Sequence, residues 1–256
     1  MMVAVLKPAD RVCAIDLTIE ATQADAIVVC GEAPVQAAAA AAAAARDLPF
    51  ACMPAGPEDL LARDLGMTLD EPAEALELPF AGVERTIDLG EVNGLPFVNY
   101  VAVGVALPAA PSSGRARRPG SPRRPTARAR TSGQGGAGSL LVCNNRFELL
   151  EGRLGRRDWP DSGRLQIATF ESRGSEESFA VLRAAGFQER VCARFQLAFR
   201  NELVVDVDGE PRRLAPPLRF RSVAAALRVR APSIEARAAG PAPVQGEPEL
   251  VSLQPG

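Results

Sequence analysis

The apolar and polar positions follow two regimes along the chain. In the first hundred or so residues, unbroken apolar runs alternate with stretches of helix formers. Residues 26–30 read A-I-V-V-C, with no polar alternation, which predicts a strand covered on both faces. Residues 35–46 contain nine consecutive alanines and predict a helix, because Ala has the highest helix propensity. Residues 50–53 predict the next strand, and residues 58–65 a helix stopped at Gly66. Strand–helix alternation of this kind predicts a parallel sheet with crossover helices. After Ser139 the period becomes two. Phe195, Leu197 and Phe199 fall on one face, and Arg194, Gln196 and Ala198 on the other. Residues 203–207 run into Asp208-Gly209, a hairpin signal. Residues 140–143, 165–170, 218–220 and 226–229 predict further short strands. One helix is expected at residues 176–185, between Ser175 as N-cap and Gly186 as stop. The expected fold class is α/β: an N-terminal parallel-sheet domain followed by an antiparallel β-sandwich.

Residues 107–138 separate the two regimes. Pro, Ser, Gly and Arg dominate there, no acid appears, and no apolar period is visible, which predicts a disordered linker. The expected organisation is residues 1–106, linker 107–138, residues 139–232 and a loose Pro/Ala/Gly-rich tail at 233–256. Seven arginines lie between positions 115 and 130. The reading preferred is a solvated linker. Two others are an attraction to an anionic membrane surface and a frameshifted stretch of a GC-rich gene.

Composition narrows the chemistry. The 256 residues are 47% hydrophobic and 23% charged, which excludes wholesale disorder. A formal charge of −2 argues against a nucleic-acid binder. Histidine is absent, which removes every His-based triad, imidazole base and His-ligated metal. The five cysteines (Cys13, Cys30, Cys52, Cys143, Cys192) form no C-x-x-C pair. That pattern speaks against a disulfide framework or zinc site and for a reducing, cytoplasmic setting. The first ten residues show no signal-peptide pattern, and no apolar run has the length of a membrane span. Membrane contact is therefore expected to be peripheral, at the inner face.

Three constellations could carry chemistry. Cys30-Gly31-Glu32-Ala33-Pro34 ends a strand and opens a helix, a junction whose backbone amides and positive dipole end suit phosphate. An ordinary strand-to-helix turn is the alternative. The Gly56-Pro57 turn with Glu58 and Asp59 repeats the arrangement after the next strand, where α/β sheets bind ligands. Asp206, Asp208 and Glu210, with Asp161 upstream, could hold a divalent metal or accept a hydroxyl proton. Solvated hairpin acids are the alternative there.

These segments, in this order, resemble the bacterial diacylglycerol kinase-like lipid kinases. The resemblance is strongest in P-A-G followed by L-A-R-D-L-G (residues 54–66) and in R-T-I-D-L-G-E-V-N-G-L-P-F-V-N-Y (85–100). It resumes at residues 140–145, 160–167, 205–211 and 226–229. It implies a nucleotide-binding α/β domain, a β-sandwich domain, and a cleft between them where ATP and a diacylglycerol-like lipid meet. By the same resemblance Glu210 would be the general base. Cys30, Gly31, Glu32, Ala33, Pro34, Gly56 and Pro57 would hold ATP, and Asp161 would help to organise Mg²⁺. Several signature positions differ. The family's G-G-D-G-T falls on Cys30-Gly31-Glu32-Ala33-Pro34, its G-T-x-N-D on Gly56-Pro57-Glu58-Asp59-Leu60, its G-x-D-A on Gly104-Val105-Ala106-Leu107, and its metal-associated D-G on Ser162-Gly163. Proline removes a hydroxyl and a backbone donor from a phosphate loop, and Ser for Asp removes a hard oxygen that magnesium prefers. The leading expectation is an ATP-dependent lipid kinase, and the runner-up a catalytically impaired or inactive relative acting as a binding protein, or a decayed gene product. A soluble NAD kinase-like enzyme, which also uses G-G-D-G, ranks third.

Overall fold

The computed structural model describes residues 2–6, 23–54, 59–67, 74–104, 129–130, 137–150, 153–171, 187–199 and 201–233. The helix expected at 176–185, most of the linker, the tail and the Gly56-Pro57 turn lie outside the described residues.

The first part of the chain forms β1 (Val3–Leu6), β2 (Ala26–Cys30), α1 (Ala33–Arg46), β3 (Phe50–Met53), α2 (Leu60–Asp64) and α3 (Glu74–Ala81). β1, β2 and β3 pair in parallel, as the continuous apolar runs predict. Ala26, Ile27, Val28 and Val29 are fully buried. The alanine run becomes α1, and Ala37, Ala39, Ala40, Ala42 and Ala43 all lie against the sheet. Side chains this small let the helix axis approach the strands closely. The helix stops at Asp47 in the left-handed region, whose N–H bonds the Ala43 and Ala44 carbonyls.

The middle of the chain supplies β4 (Val83–Val92), β5 (Leu95–Phe97), β6 (Tyr100–Val103), the two-residue β7 (Ala129–Arg130), β8 (Ala137–Asn144), β9 (Phe147–Leu150), β10 (Arg153–Arg157) and β11 (Leu165–Glu171). β12 (Phe187–Cys192), β13 (Arg194–Leu197), β14 (Leu203–Val207), β15 (Glu210–Leu214) and β16 (Leu218–Ala231) follow. One sheet runs β12-β11-β8-β6-β14-β15 and is antiparallel at every described pairing. β9 and β10 form a separate ribbon.

One departure from expectation shapes the molecule. Residues 218–220 and 226–229, expected as two short strands of the second regime, are parts of the single strand β16. It pairs antiparallel with β4 along both halves and parallel with β3 through Val229 and Phe50. The first sheet is therefore mixed, ordered β1-β2-β3-β16-β4-β5. The sequence hides this continuity because the register breaks between Val223 and Leu227, in the apolar but featureless V-A-A-A run. Ala225 takes a φ of 49° there. Gly90 of β4 faces Phe97 of β5 so closely that a Cβ would meet the ring at 2.3 Å; that glycine lets the fully buried Phe97 lie over the strand.

Candidate functional site

The strand-to-helix junction after β2 is built for packing more than for ligand. Gly31 is buried, and a Cβ there would stand 3.1 Å from Cβ and Cγ1 of Val35, so the glycine serves close strand–helix approach. Glu32 is the N-cap residue of α1, but its side chain makes no capping bond. Its carbonyl instead accepts the Val35 and Gln36 amides at 2.9 and 3.1 Å, while Pro34, in the second helical position, has no amide to offer. The helix therefore begins with few donors available to a phosphate, and with an exposed acid beside them. Cys30 ends β2 with its thiol pKa raised, chiefly by burial and then by the charge of Asp59.

The second loop is tied to the first by a residue that sequence reasoning missed. Gln36, buried among the alanines of α1, donates through Nε2 to the Gly31 carbonyl at 2.8 Å and to Asp59 Oδ2 at 2.6 Å. Asp59 in turn caps α2, its Oδ1 accepting the Ala62 amide at 3.0 Å. A lone amide side chain on an otherwise all-alanine face was the available signal.

Across from α1 stands the hairpin turn of β14 and β15. Asp208, expected as a solvated turn acid or a metal ligand, is buried. Its Oδ2 accepts the Val98 amide at 2.7 Å, and its Oδ1 accepts the Asn99 and Tyr100 amides, each at 2.9 Å. Burial pushes its carboxyl up to about 7, although the three backbone amides pull the other way. Asp206, also raised by burial, accepts the Gly209 amide at 2.6 Å. Two acids thus hold the turn, and the third is presented by it. Glu210 opens β15 and lines a cleft with Pro34, Ala37 and Ala38 of α1, Leu95 and Pro96 of β5, Val207 and Arg212. Its carboxylate meets Arg212 at 2.8 Å, each side chain a little over one-third exposed. The cleft measures about 70 Å³, against the roughly 300–1,000 Å³ usual for small-molecule sites.

Asp161 is exposed, after β10. Its neighbours bond the fold: Ser162 donates to Asn145 Oδ1 through both N–H and O–H, and the Gly163 amide donates to Asp88 Oδ2 at 2.6 Å. Asp88, in the R-T-I-D-L-G segment, is buried and bonded by protein donors. It also accepts Asn145 Nδ2 at 3.2 Å and the Ala225 amide at 2.9 Å, so it fills the β16 bulge. Among the described residues no three Cys, Asp or Glu side chains gather to hold a metal ion.

A buried ion pair joins α2 to β10. Arg157 Nε donates to Asp64 Oδ2 at 2.9 Å, and Arg157 Nη1 to the Val98 and Asn144 carbonyls at 2.9 and 2.8 Å. Both side chains are at most 2% exposed. Burial raises the Asp64 carboxyl, while Arg157 and Arg63 draw it back. Together with Asp208, this pair brackets the Val98–Tyr100 segment from two sides.

Superposition on solved structures assigns the architecture. A crystal structure of a diacylglycerol kinase from Bacillus anthracis str. Sterne matches 87% of this chain and 82% of its own, with a TM-score of 0.59 and 17% identity. The chain has a diacylglycerol kinase-like fold. Two candidate diacylglycerol kinases from the same organism agree. One has a TM-score of 0.60 at 18% identity and the other 0.59 at 19%, each again over 87% of this chain. No protein-family model matches the sequence, and no curated protein does. Within this fold, Pro34 and Glu210 line one cleft. No helix among the described residues is long and apolar enough to cross a membrane.

Proposed function

We propose that the protein is a lipid kinase of diacylglycerol kinase type, moving the γ-phosphate of ATP to a lipid hydroxyl such as that of diacylglycerol. The observation that carries this reading is the position of Glu210, opposite the start of α1 across the cleft. In the proposed reaction Glu210 accepts the proton of the lipid hydroxyl, the hydroxyl oxygen attacks the γ-phosphorus, and ADP departs. Ala37, Ala38, Leu95, Pro96 and Val207 give the cleft apolar walls suited to the lipid near its hydroxyl. Cys30 to Pro34 would face the nucleotide with the Gly56-Pro57 turn. The sandwich arrangement of the second half, the domain limits and the cytoplasmic, membrane-peripheral setting belong to the same proposal.

A specific observation favours a second reading, a relative with little or no catalysis. Pro34 and the inward-turned Val35 and Gln36 amides leave a poor cradle for phosphate. Each lost transition-state donor costs about 10²–10³-fold in rate, so the kinase reading expects slow turnover. A radiolabelled ATP assay against a panel of lipids tests it, with calorimetric titration of Mg-ATP alongside. Labelled lipid with micromolar nucleotide binding supports the kinase. Absence of labelled lipid together with no heat at millimolar nucleotide supports the second reading.

A further inference from the structure

We propose that Arg212 is the anion-receiving residue of the cleft, holding Glu210 in an ion pair until a phosphate monoester or terminal polyphosphate group enters and takes its place. The inference rests on the reading of this cleft as a phosphoryl-transfer site. Of the eight lining residues, six are uncharged and the only charges are Glu210 and Arg212. The two are separated by Pro211 on β15, so the strand turns both side chains to the same face. Arg212 Nη2 lies 2.8 Å from Glu210 Oε2.

In that arrangement each charge occupies the other: the guanidinium covers a carboxylate oxygen, and the carboxylate fills a position on the guanidinium fork. The pair is easily exchanged, however, because both side chains are more than one-third exposed and water screens it. A phosphate monoester carries more charge than a carboxylate and matches the guanidinium fork in two-point geometry, so it displaces Glu210. The N-terminal end of α1, which enters the cleft at Pro34, adds the positive end of a helix dipole. Arg212 would thereby supply on the hairpin side the cationic contact that the β2–α1 junction lacks. Release of Glu210 would follow anion arrival and involves no covalent change.

Two sources could present such a group, a soluble polyphosphate or a lipid headgroup. Inorganic pyrophosphate, titrated calorimetrically without metal, probes the first. Sedimentation with phosphatidylcholine vesicles, with and without phosphatidic acid, probes the second. The decisive signature is a pair of opposite effects. Arg212→Gln should weaken binding of the effective probe about tenfold, the scale of one charged hydrogen bond. Glu210→Gln removes the internal competitor and should tighten binding. Arg212→Lys, which keeps the charge without the fork, should fall between wild type and Arg212→Gln. A response to pyrophosphate assigns the site to soluble phosphates, and one to phosphatidic acid vesicles assigns it to headgroups. No binding of either probe, equal affinities in all variants, or weakening by both Gln substitutions would overturn the proposal. If the opposite effects appear while wild type transfers no phosphate to any lipid, the anion site stands and the kinase reading falls.

Discussion

The two walls of the cleft are held by different physics. On the hairpin side, Asp208 and Asp206 both satisfy backbone amides, three of them from the β5–β6 connection, and the turn presents Glu210. On the α1 side, the glycine serves Val35, the proline lacks its amide, and the remaining contacts are internal. Where side chains bond the backbone of a neighbouring connection, those bonds fix the turn geometry. Where the contacts stay within one helical turn, few donors are left for a ligand. The difference teaches that the shape of one wall and the hydrogen-bonding capacity of the other are set independently across a single cleft.

The largest effect should come from the buried Asp64–Arg157 ion pair. Arg157→Met removes the closer of the two guanidinium groups that neutralise the buried Asp64, leaving Arg63 at 3.5 Å, and should cost about 3 kcal/mol in urea unfolding. Adding Asp64→Leu should recover part of that loss, since a buried pair replaced whole by apolar groups is often neutral. Next, Asp208→Ala strands the Val98, Asn99 and Tyr100 amides. It should cost at least the roughly 1–3 kcal/mol of one unmet buried donor, and an α1-side change such as Glu32→Ala should cost far less. If the two cost the same, the contrast between the walls is lost.

Stability against pH sharpens the same contrast. Asp208 has a folded pKa of about 7, raised above the ordinary carboxyl range by burial, so the fold favours its neutral form. Its contribution is complete below about pH 4 and is lost as pH rises through 7. Asp64 and Asp206, also raised by burial, act with the same sign. Melting temperature should therefore decline between about pH 4 and 7, and Asp208→Asn, which cannot titrate, should flatten that decline. A melting curve that rises over this interval would contradict the account of the hairpin wall. The smallest effect concerns affinity. Pro34→Thr returns an amide and a hydroxyl to the loop and should tighten ATP binding by several-fold in a calorimetric titration, with little change in melting.

Much of the fold was legible because its elements are locally consistent. The buried run of β2, the alanines of α1 and the Asp208-Gly209 turn all appear where their patterns place them. The joining of the two regimes through β16 was not, because the V-A-A-A bulge carries no periodicity and its partner β4 lies far away in sequence. At the cleft, Glu210 is named from the resemblance and lines the wall opposite α1. Gln36, Asp88 and the Asp64–Arg157 pair could not be singled out, since a polar residue's burial depends on distant partners. Asp208 was read as a turn acid because its amide partners lie about a hundred positions earlier.

The central claim is that the acid presented by the hairpin is the base of a phosphoryl transfer. The rate of lipid phosphorylation by Glu210→Gln against wild type, both folded and at saturating ATP, tests it most directly. The account predicts a fall of about 10²–10⁴-fold, the range for loss of a general base. Undiminished turnover in that variant would contradict it.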